Sequence, residues 1–101
     1  MSPESPETNP ETSYYCYMVR CTNGAFYTGW TTDPLRRLAE HNAGRGARYT
    51  RMNGPVTLVY VERVADHSSA LKREAEIKKF KHTQKAALAE ANPLPVEFRE
   101  M

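Results

Sequence analysis

Residues 14–30 read YYCYMVRCTNGAFYTGW, two β-prone runs on either side of an Asn-Gly turn signal. Residues 14–21 are apolar at both alternating sets of positions, which predicts a strand buried on both faces. Residues 25–30 form its predicted hairpin partner across Asn23-Gly24. The folded part of the chain is therefore expected to begin with a β-hairpin.

The length of the hairpin loop decides whether Tyr17 and Tyr27 lie on the same face of the sheet. A two-residue loop at Asn23-Gly24 would put them on opposite faces. A three-residue loop, Thr22-Asn23-Gly24, puts them on one face and requires Gly24 in the left-handed region, which glycine adopts readily. We predict the three-residue loop, because the chemistry inferred below needs both hydroxyl groups on one face.

The remaining sequence predicts one further strand and three helices. Asp33 followed by Pro34 supplies an N-cap and a first helical residue. A hairpin with a third strand added and helices packed against it is an α+β fold, here a three-stranded antiparallel sheet flanked by three helices in the order β-β-α-β-α-α. The first helix is predicted over residues 33–44, followed by a basic loop over 44–55 and the third strand over 56–61. The second helix is predicted over residues 66–79, capped by Asp66 or Ser68, and the third starts at Thr83 and ends before Asn92-Pro93.

Composition and cysteine spacing bound the class of protein. With 101 residues, 40% hydrophobic and 26% charged, the chain fits one small globular domain. No apolar run approaches the roughly 20 residues that span a bilayer, and the N-terminus lacks the features of a signal peptide. Cys16 and Cys21 are five positions apart on one predicted strand, so they point to opposite faces and cannot pair. We expect a cytoplasmic protein with no membrane partner.

The charge is unevenly distributed along the chain. Three of the 12 acidic residues lie in the first twelve positions, so residues 13–101 carry 14 basic and 9 acidic residues, a net charge of +5. We expect a disordered acidic tail over residues 1–12, one folded domain over 13–92 and a C-terminal tail over 93–101. The basic balance is compatible with a phosphate-rich partner, and equally with a surface charged for solubility.

Arg37 and His41 lie one turn apart on the first predicted helix, on a stripe that borders Leu38. Arg36 is four residues from Glu40 and can form an ion pair with it, whereas Arg37 has no evident acidic partner on its helix. Arg37 is thus either another solvated cation or a group available to a ligand, and His41 is either structural or functional. The predicted apolar face of this helix comprises Leu35, Leu38, Ala39 and Asn42.

Glu74 lies in the middle of the predicted apolar stripe of the second helix, which comprises Ala70, Leu71 and Ile77. An acid on a buried stripe is costly unless a cation or metal compensates its charge. Two interpretations remain open: an ion pair with an arginine, or a ligand for Mg²⁺, which proteins often hold with one carboxylate plus waters and substrate oxygens.

Tyr17 and Tyr27 are either aromatic residues of the sheet or catalytic groups. A catalytic tyrosine needs a lowered pKa, which a nearby cation or metal provides, or a base that accepts its hydroxyl hydrogen bond. The sequence of the first hairpin alone does not decide between these interpretations.

Residues 44–51, GRGARYTR, space three arginines around small residues and a tyrosine. Glycines let the backbone approach phosphates, and arginines bind phosphates bidentately. Tyr49 can stack on a base or pack the loop onto the core. The predicted DNA-binding residues are Arg45, Arg48, Tyr49, Arg51 and, among the lysines of the second helix, Lys78.

The two tyrosine triplets resemble the motifs of the GIY-YIG nuclease superfamily. Tyr15-Cys16-Tyr17 stands at the place of the first triplet, and Tyr27-Thr28-Gly29 at the place of the second. Arg37 comes eight residues after the second triplet, where that family has its catalytic arginine, and His41 follows on the next turn.

The resemblance extends over about residues 14–85, nearly the whole predicted domain. Glu74, within Leu71-Lys72-Arg73-Glu74-Ala75-Glu76-Ile77, matches the metal-binding glutamate of the family. Residues 30–33 and 44–51 are similar to those of a small, stand-alone bacterial subgroup.

This resemblance implies a GIY-YIG endonuclease-like fold and metal-dependent hydrolysis of DNA phosphodiester bonds, with a structure-selective role in DNA repair or recombination left open. Tyr17 is implied to help deprotonate the attacking water, Tyr27 to support it or contact the phosphate, and Arg37 to stabilise transition-state charge. His41 is implied to orient or assist proton transfer. Glu74 is implied to hold one divalent cation, Mg²⁺ or Mn²⁺. DNA is the expected partner, with RNA left open.

Two other functions remain open at this point. Many family nucleases carry an asparagine beyond the metal-binding glutamate, whereas residues 83–87 read TQKAA, so that Gln84 is the candidate substitute. The absence of that asparagine, together with the basic loop, is compatible with a nucleic-acid-binding module that does not cut. A small interaction domain whose tyrosines are core residues is the third alternative.

Overall fold

A computed structural model describes residues 12–99 of the chain. The predicted acidic tail, residues 1–12, lies outside the described residues except for its last position. Within the described part, no helix is long and apolar enough to cross a membrane. The elements are β1 (Tyr14–Arg20), β2 (Phe26–Thr31), α1 (Pro34–Asn42), α2 (Arg48–Met52), β3 (Thr57–Val64), α3 (His67–Lys78), α4 (His82–Ala91) and a short 3₁₀ helix, Val96–Phe98.

The sheet is antiparallel, with β1 at its centre in the order β2-β1-β3. This confirms the predicted α+β fold and its three-stranded sheet. β1 is buried on both faces, as its sequence predicts, because helices cover the sheet on each side. We call the side with Tyr17 and Leu38 the α1 face, and the side with Cys16 and Ile77 the α3 face.

The two cysteines belong to different core layers, as their spacing predicts. Cys21 packs on the α1 face with Leu38 and Leu58, and Cys16 packs on the α3 face with Ile77. Both thiols are free and buried. Burial raises the pKa of the Cys16 thiol to about 12, so this residue behaves as a core residue with an unreactive thiol.

α1 begins where its sequence predicts. The Asp33 side chain accepts a hydrogen bond from the Arg36 N–H at 3.1 Å, and Pro34 is the first helical residue. The predicted apolar face was wrong, however, because Leu35 is 41% exposed and Ala39 is also exposed. The buried residues of α1 are Pro34, Leu38 and His41, which recur at intervals of four and three.

Residues 48–52 form a helix where the sequence predicted only a basic loop. α2 has a single buried side chain, Thr50, so the segment has no apolar periodicity from which a helix could be predicted. Contacts with other elements hold it in place. The Asn23 side chain donates to the Tyr49 hydroxyl at 3.0 Å, and the Thr22 N–H and hydroxyl both donate to the Asn53 carbonyl at 2.9 Å.

α3 is capped by Asp66, whose carboxylate accepts from the Ser69 N–H at 2.7 Å. Its buried residues are Ala70 and Ile77, whereas Leu71, predicted to share their stripe, is 44% exposed. The Cys16 thiol donates to the Ala70 carbonyl at 3.2 Å. α3 therefore packs directly against β1, with Glu74 one turn beyond the contact.

The described C-terminal residues, predicted as a tail, pack against the domain. Leu94 and Phe98 contact the core of the α1 face, and the rings of Tyr15 and Phe98 meet edge to face at 5.5 Å. In the sequence, this contact was indicated by Leu94 and Phe98, two apolar residues that lie four positions apart in a proline-containing segment.

Candidate active site

The hairpin loop contains three residues, as predicted. The Cys21 N–H donates to the Ala25 carbonyl at 2.8 Å, which closes the loop around residues 22–24. Gly24 lies in the left-handed region, with φ of 86°. The predicted loop length is therefore confirmed.

This loop sets a register that places two phenols on the α1 face. Tyr17 is paired with Gly29, and Val19 is paired with Tyr27. A Cβ atom at Gly29 would lie 2.7 Å from the Tyr17 hydroxyl oxygen, so the Tyr17 ring crosses β2 in space that only glycine leaves free. Tyr17 and Tyr27 are consequently neighbours on one face.

His41 of α1 meets both tyrosines. Its Nε2 lies 2.8 Å from the Tyr17 hydroxyl oxygen, in a hydrogen bond that is buried. The Tyr27 ring meets the imidazole edge to face, with centroids 5.4 Å apart. His41 is only 2% exposed, so its imidazole is shielded from solvent. A base is thus in hydrogen-bond contact with the tyrosine, which is one of the two conditions that a catalytic phenol requires.

The other imidazole nitrogen, Nδ1, lies 2.8 Å from the Thr50 hydroxyl oxygen. The Thr50 hydroxyl in turn donates to the Ala47 carbonyl at 2.9 Å. One chain of hydrogen bonds therefore joins side chains from three elements: Tyr17 of β1, His41 of α1 and Thr50 of α2.

Burial keeps both Tyr17 and His41 neutral. Burial raises the pKa of Tyr17 to about 12, with Arg37 opposing the rise and Tyr27 and Glu74 adding to it. Burial also lowers the pKa of His41, and Arg37 lowers it further. At neutral pH Tyr17 is therefore a protonated phenol, and His41 is a neutral imidazole able to accept its proton.

Arg37 has an acidic partner on its own helix, contrary to the prediction. One guanidinium nitrogen lies 3.1 Å from a Glu40 carboxylate oxygen, three residues along, and Arg37 is 29% exposed. The predicted pair of Arg36 and Glu40 is also present, at 3.9 Å and more exposed. Glu40 thus contacts both arginines. Of these two arginines, only Arg37 influences the pKa of Tyr17.

Glu74 lies on α3, one turn after Ala70. Its side chain is 19% exposed, and one carboxylate oxygen lies 3.7 Å from Lys78 Nζ. The negative charge of Glu74 contributes to the raised pKa of Tyr17. Among the described residues, Glu74 forms no ion pair with an arginine, which the sequence had left open. The adjacent Arg73 pairs with Glu62 instead, at 2.9 Å.

Gly46 is in direct contact with the imidazole of His41. A Cβ atom there would lie 2.1 Å from His41 Nδ1 and 2.8 Å from its Cα, distances that no packed structure allows. The backbone at Gly46 therefore forms one wall of the histidine site.

Replacement of Gly46 by alanine is expected to displace His41 and to lower the free energy of unfolding by about 1–3 kcal/mol, because the added methyl group overpacks a filled site. Urea unfolding gives the stability, and the histidine ring resonances report the displacement. Gly44→Asn is the matched control, since Gly44 has φ of 81° and open space around its Cα, and asparagine tolerates that conformation. Unchanged His41 resonances in Gly46→Ala would contradict the contact.

A family model described as the GIY-YIG catalytic domain matches residues 13–87. The chain belongs to the GIY-YIG family. The match includes both tyrosine strands, α1, α2 and α3, and so contains every residue of the site described above.

Relatives of this GIY-YIG protein are similar to it over most of their length. A UPF0213 protein of Halobacterium salinarum is 49% identical over 75 residues, which cover 74% of this chain and 97% of the relative. A UPF0213 protein of Haloquadratum walsbyi is 51% identical over 77 residues, which cover 76% and 86%. The solution NMR structure of a UPF0213 protein from Bacillus halodurans has a TM-score of 0.53 and 36% identity, covering 84% of this chain and 90% of that one. These similarities support the fold and place the chain among small stand-alone GIY-YIG proteins.

GIY-YIG nucleases generally use divalent metal ions. Glu74 is the residue of the candidate site that would hold such an ion. Glu74 offers a partly exposed carboxylate whose one described ion pair, with Lys78, is long at 3.7 Å. Among residues 12–99, no group of three or more His, Cys, Asp or Glu side chains could hold a metal by itself. One hard oxygen ligand with waters and substrate oxygens completing the shell is the arrangement that suits Mg²⁺.

The predicted DNA-binding residues fall into two places on this GIY-YIG domain. Arg45, Arg48, Tyr49 and Arg51 are exposed on α2 and the turn before it, the element whose buried residue contacts His41. Lys78 is 53% exposed and lies one turn beyond Glu74 on α3. The first group therefore lies beside the tyrosine and histidine, and the second beside the carboxylate.

Sequence reasoning missed Thr50 and Gly46 of this GIY-YIG site. The signals were a threonine inside an arginine-rich segment and a second glycine two residues after Gly44, neither of which distinguishes a site from a loop. Gln84, the candidate substitute for the missing asparagine, uses its side-chain oxygen to accept from the Lys81 N–H at 2.7 Å and so caps α4.

Proposed function

We propose that this protein is a metal-dependent endonuclease that hydrolyses DNA phosphodiester bonds. The observation that carries the proposal is the buried hydrogen bond between Tyr17 and His41, with Arg37 and Glu74 close enough to influence its electrostatics. A phenol joined to a neutral base, beside a guanidinium and a carboxylate, is suited to activating water next to a phosphate.

Tyr17 and His41 act together as the base in this proposal. A phenol with a pKa near 12 is not ionised at neutral pH, so Tyr17 needs an acceptor for its own proton. As the Tyr17 oxygen takes a proton from the attacking water, its hydroxyl proton passes to His41 Nε2, 2.8 Å away. The hydroxide then attacks phosphorus, the bond between phosphorus and the leaving oxygen breaks, and the positive charge is left on the imidazole.

Arg37 is assigned to the charge that develops on the phosphate. Its guanidinium remains charged at all relevant pH values and is held by Glu40 on one side. Tyr27, whose ring packs against the imidazole, is assigned to contact the same phosphate or to support the water.

Glu74 is assigned to hold one divalent cation, Mg²⁺ or Mn²⁺. When bound, the cation supplies Lewis-acid polarisation of the phosphate and stabilises the leaving oxygen. Lys78 balances the Glu74 charge in the free protein and is available to contact DNA nearby.

The exposed arginines of α2 and the preceding turn support DNA, with RNA left open, as the partner. Phosphate contacts position a nucleic acid but do not specify its sequence. A domain with few candidate base contacts is better suited to recognising DNA structure, which supports a structure-selective role in repair or recombination. The two free cysteines support a cytoplasmic location.

A cleavage screen over duplex, single-stranded, flap and junction DNA with Mg²⁺, Mn²⁺ or EDTA tests this function. We expect cleavage only with metal. Glu74→Gln is expected to raise the Mg²⁺ concentration needed for half-maximal cleavage more than about tenfold, because it removes the charged ligand. Glu76→Gln is the matched control, since Glu76 lies on the same helix but is 64% exposed.

Cleavage that is unaffected by EDTA would overturn the metal-dependent proposal. Salt-dependent DNA binding with no cleavage of any substrate would favour the alternative, a binding module, which the exposed α2 arginines also support.

The pH dependence of cleavage should report His41. Its pKa lies below the ordinary value of about 6.5, so the neutral form needed to accept the Tyr17 proton persists down to that pH. Cleavage should therefore stay constant from pH 8 to about 6.5 and fall only below it. The stability that neutral His41 contributes is present above its unfolded-state pKa and is lost as pH falls through the folded value. An acid limb centred above pH 6.5, or one unrelated to the His41 ring resonances, would contradict this assignment.

A further inference from the structure

Thr50 is a polar side chain that the reaction described above does not use. It is completely buried, whereas the four other residues of α2 are exposed. Its hydroxyl makes two hydrogen bonds, one with His41 Nδ1 and one with the Ala47 carbonyl. The buried Thr50 hydroxyl is therefore in direct contact with the imidazole.

The number of protons determines the direction of each hydrogen bond. A threonine hydroxyl has one proton, and a carbonyl oxygen can only accept, so the bond to Ala47 uses that proton. Towards Nδ1 the Thr50 oxygen can then only accept, which requires Nδ1 to carry a proton. In a neutral imidazole the other nitrogen, Nε2, is then unprotonated and accepts from the Tyr17 hydroxyl.

The opposite arrangement is less favourable. If Thr50 donated to Nδ1, Nε2 would carry the proton and would donate to the Tyr17 oxygen. The Tyr17 hydroxyl proton would then need another acceptor, and among the described residues its partners are His41 Nε2 and the Arg37 guanidinium, which can only donate. A buried donor without a partner is costly, so the first arrangement satisfies every group and the second does not.

We propose that Thr50 is a positioning residue that holds His41 as the Nδ1-protonated tautomer, so that Nε2 is free to receive the Tyr17 proton. This inference rests on the proposed function for its catalytic consequence, but the tautomer itself can be measured on the protein without substrate.

The test is the tautomeric state of His41 in protein with ¹⁵N-labelled histidine at pH 7.5. Long-range proton–nitrogen correlation distinguishes a protonated ring nitrogen from an unprotonated one, and the spectrum of His41→Gln identifies which of the three histidines is His41. Thr50→Ser keeps the hydroxyl group. Thr50→Val keeps the shape and presents a methyl group to Nδ1.

We expect Nδ1 to be protonated in the native protein and in Thr50→Ser. In Thr50→Val a proton on Nδ1 would face a methyl group, so the share of His41 protonated on Nε2 is expected to rise. Cleavage should then fall about 100-fold, the usual contribution of a positioned base, with KM little changed and with recovery in Thr50→Ser. Recovery by serine separates this role from a purely structural one.

A native protein with its proton on Nε2 would overturn the inference, and this result does not depend on whether any variant folds. A tautomer distribution in folded Thr50→Val that equals that of the native protein would overturn it as well. Absence of cleavage by the native protein would overturn the proposed function, while the nitrogen spectrum would still decide the role of Thr50.

Discussion

Replacement of Arg37 by alanine is expected to reduce the rate of DNA cleavage by about 10³-fold or more at saturating substrate. An arginine that stabilises charge on a transferring phosphoryl group is worth about 10³–10⁵ in rate. The change also removes the cation that opposes the raised pKa of Tyr17 and helps to lower that of His41. The acid limb of the pH profile should therefore move to higher pH in any residual activity. Single-turnover cleavage measured from pH 5 to 8 gives both quantities.

Arg36→Ala is the matched control for this prediction. Arg36 lies next to Arg37 on α1 and contacts the same carboxylate of Glu40, but it is 59% exposed and has no described link to Tyr17. Both variants lose one exposed or half-exposed ion pair, which costs at most about 1 kcal/mol. Equal losses of cleavage in the two variants would remove Arg37 from the proposed site.

Replacement of Tyr17 by phenylalanine is expected to lower cleavage by about 10²–10⁴-fold, because water would lose its proton acceptor. The ring and its packing across Gly29 are retained, so the fold should persist. His41 Nε2 would lose its buried partner, at a cost of about 1–3 kcal/mol in the free energy of unfolding. Cleavage rates and urea unfolding separate the chemical effect from the structural one.

Tyr60→Phe is the control for loss of a buried phenol hydroxyl. Tyr60 is 3% exposed and hydrogen-bonded to Glu62 on the α3 face, away from His41. It should lose stability to a similar extent while still cleaving DNA. Tyr17→Phe that cleaves within tenfold of the native rate would show that the hydroxyl is not the proton acceptor, and Tyr17 would then be a core aromatic residue.

The first hairpin could be predicted from sequence in detail because local rules determine it. An Asn-Gly signal limits the loop to two lengths, and the alternation of side chains converts loop length into the faces on which Tyr17 and Tyr27 lie. The choice between the two lengths came from the chemistry expected of the tyrosines. The observed register, with Tyr17 opposite Gly29, agrees with it.

The rest of the site depends on contacts between distant segments. α2 has no apolar stripe, and its helix is held by hydrogen bonds to the hairpin loop and by Thr50 against His41. Such partners are separated by 9 to 31 positions in the chain, so no local pattern predicts them. Periodicity likewise misassigned Leu35 and Leu71, because the angle at which each helix packs on the sheet decides which stripe is buried.

The polar attachment of α2 has a consequence for local stability. A turn of helix held by hydrogen bonds, with one buried side chain and no buried apolar residue, belongs to the part of a protein that opens most easily. Opening of this segment would let solvent reach the imidazole and would take away the partner of Nδ1 while the three strands stayed paired. The ability to transfer a proton is therefore expected to be lost under milder denaturing conditions than the sheet itself, so hydrogen exchange should be fast in α2 and slow in β1.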